Sequence, residues 1–330
     1  MSYQKGLVAN LAELEAFYKG QQVDATVIEL MNQTNDILSD VQFMESNQSD
    51  GHLTRIRTGL PAVYWRRLYK GTPPSKSQYA QVREACGMLE GKAILDVKEL
   101  ELYGDRASAF RLSEGKAQTE AMRQKVAETM FYGDNGVNPD EFNGFAQRYP
   151  SLNTPNVVNA GGTGASLTSM YLICWGSDTV HGLYPKGSIG GLQKKSVPEQ
   201  MVSDEDGNTF LAVQDLYSWN LGLAVRDWRA VVRIANIDTT KLMLKAGASG
   251  YIDLQGLTIK AKNMMPAWMR SKAIWYCNQE VMNGLEYQAS DKGNVQLQYG
   301  ELFDSKAVPV LHGRPVRQCD AIKTNETALV

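Results

Sequence analysis

Apolar positions in this chain change period several times along its length. Val27, Leu30, Met31, Thr34, Leu38 and Val41 fall on one stripe at helical spacing, with Asp24 placed to cap it. Asn10, with Glu13 three residues on, reads as the capping box of an earlier helix that Gly20 stops. From residue 51 the period drops to two. Leu53, Arg55 and Arg57 alternate with Thr54 and Ile56, Ala62 to Tyr69 is rich in aromatic and branched residues, and Lys70-Gly71-Thr72-Pro73-Pro74-Ser75 is strong turn chemistry. A return limb covers Gln78 to Gly91 and continues as strand over Lys92 to Tyr103, marked by Ile94, Val97 and Leu100. The pattern predicts a long β-hairpin. Residues 107–132 then predict the longest helix: Met122, Val126 and Met130 recur every four residues, and Ala117 and Ala121 share neighbouring faces. Gly133-Asp134-Asn135-Gly136 ends it.

The middle reads as β-rich, with strands over Thr168 to Trp175, Phe210 to Val213, Leu221 to Arg226 and Ala230 to Ile234. The last third alternates. Ile252 to Met264 and Gln279 to Gln288 predict helices, and Ala273 to Cys277, Val295 to Tyr299, Ala307 to Leu311 and Pro315 to Cys319 predict strands. No internal repeat is present.

Composition adds that 330 residues, 43% of them hydrophobic, can bury a sizeable core in one large domain or two ordinary ones. A net charge of −2 supplies no global field for tight nucleic-acid binding. The charge is uneven, however. Residues 1–50 carry Glu13, Glu15, Asp24, Glu29, Asp36, Asp40, Glu45 and Asp50 against only Lys5 and Lys19. Residues 51–80 carry Arg55, Arg57, Arg66, Arg67, Lys70 and Lys76 and nothing acidic. Adjacent segments of opposite sign attract, within one chain or between copies, unless both are merely solvated faces. Nucleic acid could also draw the basic segment. Tyr64, Trp65 and Tyr69 stand in a projection too thin for a core. With the arginines they form a set suited to anchoring a protein interface, the alternative being packing of the hairpin on its own domain.

Cys86, Cys174, Cys277 and Cys319 are far apart, without a CxxC pair or zinc spacing, which predicts free buried thiols in a reducing compartment. There is no signal-peptide core and no run of about 18 apolar residues, so no membrane partner is expected and assembly in a cytoplasm is. Catalytic patterns are weak. His52, His181 and His312 read as isolated structural histidines, outside HExxH or GxSxG settings. The glycine loop Ala160 to Ser166 lacks the Gly-Lys-Ser/Thr of a P-loop and precedes a strand rather than a helix. Asp204-Glu205-Asp206-Gly207 has too few ligands for calcium and reads as a hairpin turn. No catalytic residue, cofactor or metal is expected, although a soluble enzyme using loop 160–166 with Asp178 or His181 remains the rival reading.

Shared order along the chain points further. The stretch Asn138-Pro139-Asp140-Glu141-Phe142-Asn143-Gly144-Phe145-Ala146-Gln147-Arg148-Tyr149 resembles a segment of the major capsid proteins of short-tailed double-stranded-DNA bacteriophages. So do Trp175-Gly176, Gly182-Leu183-Tyr184-Pro185-Lys186-Gly187-Ser188, Gly190-Gly191-Leu192, Trp219 to Leu223, and Asp227, Arg229 and Val231 to Asp238. The ending Gly313-Arg314-Pro315-Val316-Arg317-Gln318-Cys319-Asp320-Ala321-Ile322 resembles that family's closing strand. The likeness spans roughly residues 10–320. It implies an α+β tailed-phage capsid fold: an N-terminal arm (1–50), an extended β-hairpin loop with its return strand (51–104), a peripheral domain with a long spine helix (105–150), a mainly axial β-rich segment (151–229) and mixed peripheral and axial segments (230–330). It also implies a structural subunit, forming pentamers and hexamers of an icosahedral shell around double-stranded DNA. The arm lies along a neighbour and the extended loop reaches over the adjacent subunit. The expected interface set is Arg55, Arg57, Tyr64, Trp65, Arg66, Arg67, Tyr69 and Lys70 on the hairpin with Glu13, Glu15, Asp36 and Asp40 on the arm. Partners are the chain itself, with scaffold, portal and decoration proteins and weak non-specific contact to packaged DNA. A non-viral encapsulating shell of the same fold is the second alternative. No long extension precedes the arm, so no built-in scaffolding domain is expected. Some relatives weld neighbours through a lysine of the extended loop. Here Lys70 and Lys76 have no acidic residue nearby in sequence to take a proton, so a non-covalent shell is expected.

Overall fold

The computed structural model describes residues 33–204, 206–245, 247–290, 297–301 and 307–330. The helices expected before residue 32, with Glu13 and Glu15, lie outside them. After a one-turn helix α1 (Ile37–Asp40) and a short strand β1 (Phe43–Glu45), β2 (Gly51–Gly59) and β3 (Gln78–Asp96) pair antiparallel as the expected hairpin. The ladder stops at Gly59 and Gln78, so Ala62 to Tyr69 is irregular chain rather than strand. The strand expected to run on to Tyr103 also ends early, at Asp96. There the Asp96 carboxylate accepts the Lys98 amide at 2.8 Å and starts helix α2 (Val97–Tyr103). Val97 and Leu100 are three apart and suit a helix face; the cap at Asp96 decides between the two readings.

Helix α3 (Ala107–Tyr132) runs 26 residues and buries Met122, Val126, Met130 and Phe131, whereas Ala117 and Ala121 face out. It stops at Gly133 for a reason other than a left-handed cap: φ there is −53°. A Cβ would stand 2.3 Å from the Phe142 carbonyl oxygen and 2.6 Å from that of Thr129. The chain folds back onto the helix end so closely that only glycine fits. Then follow α4 (Phe145–Arg148), β4 (Val157–Asn159), β5 (Leu167–Cys174), β6 (Val180–Tyr184), β7 (Gln193–Ser203), β8 (Thr209–Val225) and β9 (Val231–Asp238). The final third is α5 (Leu254–Met264), α6 (Ala267–Arg270), β10 (Ala273–Cys277), α7 (Gln279–Ser290), β11 (Leu297–Glu301), β12 (Ala307–Leu311) and β13 (Arg314–Gln318).

Among the described residues two sheets form. One has the order β1-β6-β8-β3-β2, with β7 also paired to β8; the other runs β11-β12-β13-β10-β5-β9-β4. The architecture is α+β. β5 and β9 are buried at every position, although each carries polar side chains: Thr168 and Ser169 in one, Arg233, Asn236 and Asp238 in the other. Trp275, Tyr171, Tyr276, Phe131 and Phe145 are fully buried, each worth about 1.5–3 kcal/mol or more in removed apolar surface. Two expected strands, Phe210 to Val213 and Leu221 to Arg226, are parts of the single 17-residue β8. Its polar middle broke the apolar pattern. Asp215 there is buried and paired: Arg111 of α3 donates to it at 2.6 and 2.8 Å, Ser196 at 2.6 Å, and Lys194 lies 3.2 Å away. These contacts clamp the long helix to the sheet, and the Arg111 bonds, with help from Ser196 and Lys194, hold the Asp215 carboxyl well below the usual range. β7, unread in the sequence, joins β8 through a turn where Asp204 accepts the Asp206 and Asn208 amides at 3.0 and 2.7 Å. The segment expected to be a calcium-free hairpin turn is a hairpin turn.

Candidate assembly interface: the extended hairpin

The hairpin has two chemically opposite ends. Beyond the ladder, every residue from Leu60 to Lys76 is exposed. Leu60, Val63, Leu68, Trp65 and Tyr69 stand almost wholly in solvent and Tyr64 is just over half exposed. The tip is not shapeless. Ser75 donates to the Ala62 carbonyl at 2.6 Å, the Lys70 amide donates to the Arg67 carbonyl at 3.2 Å, and the Arg66 guanidinium donates to the Lys70 carbonyl at 3.1 Å. Tyr69 has a φ of 60°, the left-handed backbone a bulky residue rarely takes. Arg55 and Arg57 are exposed on β2; Arg57 donates to the Tyr79 hydroxyl at 3.0 Å and lies 5.3 Å from the centre of that ring. The eight hairpin residues expected at an interface are thus gathered on one projection. Asp36 and Asp40 are elsewhere. Asp40 lies inside its own subunit, accepting from the Tyr276 hydroxyl at 2.8 Å and from Arg317 at 3.3 Å.

At the root the same strands bury charge. Glu84 of β3 is 5% exposed and receives both arms of Arg148 at 2.8 and 2.6 Å; Arg148 also donates to the Leu223 carbonyl at 3.1 Å. Arg148 is the penultimate residue of the stretch 138–149, and the structure explains that stretch. Asn135 donates to the Pro139 and Glu141 carbonyls at 3.1 and 2.9 Å, and Asn143 accepts the Asn135 amide at 2.9 Å. Phe142, Phe145 and Tyr149 are buried, and the Tyr149 hydroxyl donates to the Trp228 carbonyl at 2.6 Å. The stretch is a folded bracket that delivers Arg148 to the hairpin. His52 and His181, expected to be isolated, meet here with ring centres 6.1 Å apart. Only His312 matches that expectation, and its ring contacts Thr258 at 3.1 Å. Glu84, Arg148, Arg226 and the histidine pair were not singled out from the sequence. The run of small residues after Glu84, Ala85-Cys86-Gly87, was the available sign of tight packing there.

The rival site at 160–166 is backbone filling. A Cβ on Gly162 would stand 2.5 Å from the Asn236 carbonyl oxygen, the Thr239 amide donates to the Ser166 carbonyl at 3.0 Å, and β5 follows directly. Asp178 stands at the surface near Arg226, and His181 is sealed beneath. Among the described residues no group of three or more His, Cys, Asp or Glu is placed to hold a metal. The four cysteines are unpaired; Cys174, Cys277 and Cys319 are buried, and burial pushes the Cys277 thiol up to about 12. No helix among the described residues is long and apolar enough to cross a membrane.

Comparison with known proteins gives matches that span nearly everything described above. The family model for the major capsid protein GP7 matches residues 19–330. The cryo-EM structure of bacteriophage Epsilon15 is similar at 29% identity and a TM-score of 0.71, covering 100% of this chain and 99% of that one. The SrpI encapsulin of Synechococcus elongatus PCC 7942 shares 9% identity at a TM-score of 0.46 over 70% of this chain and 96% of that one. A capsid chain of a native GTA particle shares 10% at 0.45, over 69% and 99%. No curated protein sequence matches.

Proposed function

The chain belongs to the major capsid protein GP7 family, and from that premise we propose that its extended hairpin is the element that fastens one subunit to the next. It is a structural protein, a phage capsid shell subunit of the tailed-phage capsid fold, and subunits of this kind assemble with copies of themselves as pentamers and hexamers of an icosahedral shell. The shell encloses double-stranded DNA, touched weakly and without sequence preference, and is put together in the host cytoplasm with scaffold, portal and decoration proteins. The subunit carries no catalytic activity. The acidic arm of one copy lies against the basic hairpin of another.

One observation supports the hairpin reading above others: large apolar side chains with arginines between them stand in solvent at the end of a projection with no core of its own. Such a surface is costly unless another molecule covers it, and Trp, Tyr and Arg are the residues that dominate interface energetics. Many modest contacts, repeated by closed symmetry, sum to a stable shell. Replacing Trp65 and Tyr69 together by Ala tests this. Subunits should keep their circular dichroism and their urea midpoint while particle yield in negative-stain images and sucrose gradients collapses. Normal yields of normal particles would refute the assignment.

A further inference from the structure

The histidine pair at the hairpin root has chemistry that a packing role does not need. His52 is the second residue of β2, opposite Glu84 on β3; His181 is on β6, opposite Ala224 on β8. The rings meet edge to face at 88°, and His181 is fully buried. Both nitrogens of His52 face donors: the Asn47 amide lies 3.3 Å from Nδ1 and the Arg226 guanidinium 3.0 Å from Nε2. A neutral imidazole has one acceptor nitrogen and an imidazolium has none, so charging His52 forfeits the one hydrogen bond that its ring can accept and turns both nitrogens into donors facing donors. The two nitrogens of His181 and the Nε of Arg226 are buried and make no well-formed hydrogen bond, although the Gly176 carbonyl lies close enough to His181 to act on it.

The charges around the pair give an added proton little help. Arg226 is a cation that acts on both rings, and it touches His52 at 3.0 Å. Glu84 faces His52 but has both oxygens engaged by Arg148. Asp178 lies 3.7 Å from Arg226 with its side chain 89% exposed, on the solvent side of that guanidinium. Burial first, then Arg226, then His52 hold the His181 pKa down to about 4, against a weak opposing pull from the Gly176 carbonyl and Asp178. Burial and Arg226 lower His52 as well, with Glu84 opposing.

We propose that His52 and His181 form an acid-sensitive latch: neutral, they hold β2, β6 and the end of β8 together and fix the hairpin; charged, they part and free the hairpin while the seven-stranded sheet stays folded. A histidine whose folded pKa is lowered binds its proton more weakly folded than unfolded. Its contribution is therefore complete above the ordinary value of 6.5 and is lost as pH falls from there toward about 4. That window lies above the range in which Asp215, held low by Arg111, would release the long helix. The latch and general acid unfolding are thus separated in pH.

The latch rests on the capsid reading only for what a freed hairpin does, so it is measured both in unassembled full-length subunits and in particles. Amide hydrogen exchange, corrected for its intrinsic pH dependence, is followed over 51–59 and 78–86 and over β5 and β9 from pH 7 to pH 4. The hairpin amides should lose protection with a midpoint inside that window while β5 and β9 keep theirs. In His181→Phe, which keeps a ring but takes no proton, the midpoint should fall by about one pH unit or vanish. An unchanged midpoint in that variant, or flat hairpin protection to pH 4 in the unaltered protein, overturns the latch. Should the variant not fold, the ring of His181 is titrated by NMR in the unaltered subunit. A value well below 6.5 that coincides with the exchange midpoint supports the latch, and an ordinary value near 6.5 overturns it.

Discussion

At its tip the hairpin holds Trp65, Leu68 and Tyr69 in solvent; some twenty residues away, at its root, Glu84, His52 and His181 are buried and Arg148 is half-buried. Apolar groups outside and charges inside invert the ordinary rule, and the two inversions differ in kind. The buried carboxylates are answered within the subunit, Glu84 by Arg148 and Asp215 by Arg111, which fixes how the hairpin and the long helix leave the sheet. Among the described residues nothing covers the tip's large apolar side chains. One end sets a direction; the other, on the proposed reading, meets a neighbouring copy. A change at the root should therefore register in the isolated subunit, and a change at the tip only when subunits meet.

The root gives the largest expected effect. Glu84→Ala strands the Arg148 guanidinium, whose side chain is only 18% exposed. Removing one partner of a buried pair costs about 3–5 kcal/mol. Urea unfolding of unassembled subunits should show a loss of that order, and assembly should fail because the subunit fails. A loss under about 1 kcal/mol would mean that the pair is solvated in practice and that the hairpin is oriented by something else.

How much of this contrast was legible depends on which physical signal each element carries. Long amphipathic or largely apolar segments declared themselves: α3 begins and ends where its periodicity does, β5 and β10 stand within one residue of their expected bounds, and β9 runs four residues past the expected Ile234, through the polar Asn236 and Asp238. The tip was legible because turn residues and aromatics without a core are a local feature. The root was not. Glu84, Arg148 and Arg226 come from three distant stretches, and a charged residue reads as surface until its partner is known. The same blindness split β8 at Asp215, which needs Arg111 of a different element to become a strand residue. Val97 to Tyr103 failed for a local reason: one carboxylate cap outweighed strand propensity.

A middle-sized effect belongs to the tip's charge rather than its aromatics. Reversing Arg66 and Arg67 to Glu leaves the subunit's own stability within about 0.5 kcal/mol, because both side chains are exposed. Each exposed ion pair with a neighbouring copy is worth only about 0.2–1 kcal/mol, but the loss recurs at every contact of the shell. Particle yield should fall, most in low salt, and the difference from the unaltered protein should narrow as salt rises and screens the contact. A yield unchanged at low salt would leave Trp65 and Tyr69 to carry the tip alone and would remove the acidic arm as their partner.

The smallest expected effect concerns Lys70 and Lys76, and it is none. A lysine attacks a carboxamide only as the free amine. An exposed ammonium stays charged near neutral pH, and both lysines stand exposed at the tip. Making the amine available requires a dry pocket and a carboxylate to take the proton. The stretch from 51 to 80 holds no acidic residue. Among the described residues neither lysine forms an ion pair. Any such carboxylate would have to be brought by the neighbouring copy. The charge and the aromatic rings of the tip suit reversible contact, in which a wrongly seated subunit can leave and return. Lys70→Arg with Lys76→Arg should therefore give particles of normal yield and normal resistance to heat. Particles of the unaltered protein, boiled in detergent and reductant, should run as one band at monomer mass. A ladder of dimers and larger species that disappears in the double variant would show that the tip is welded and that a neighbour supplies the missing base.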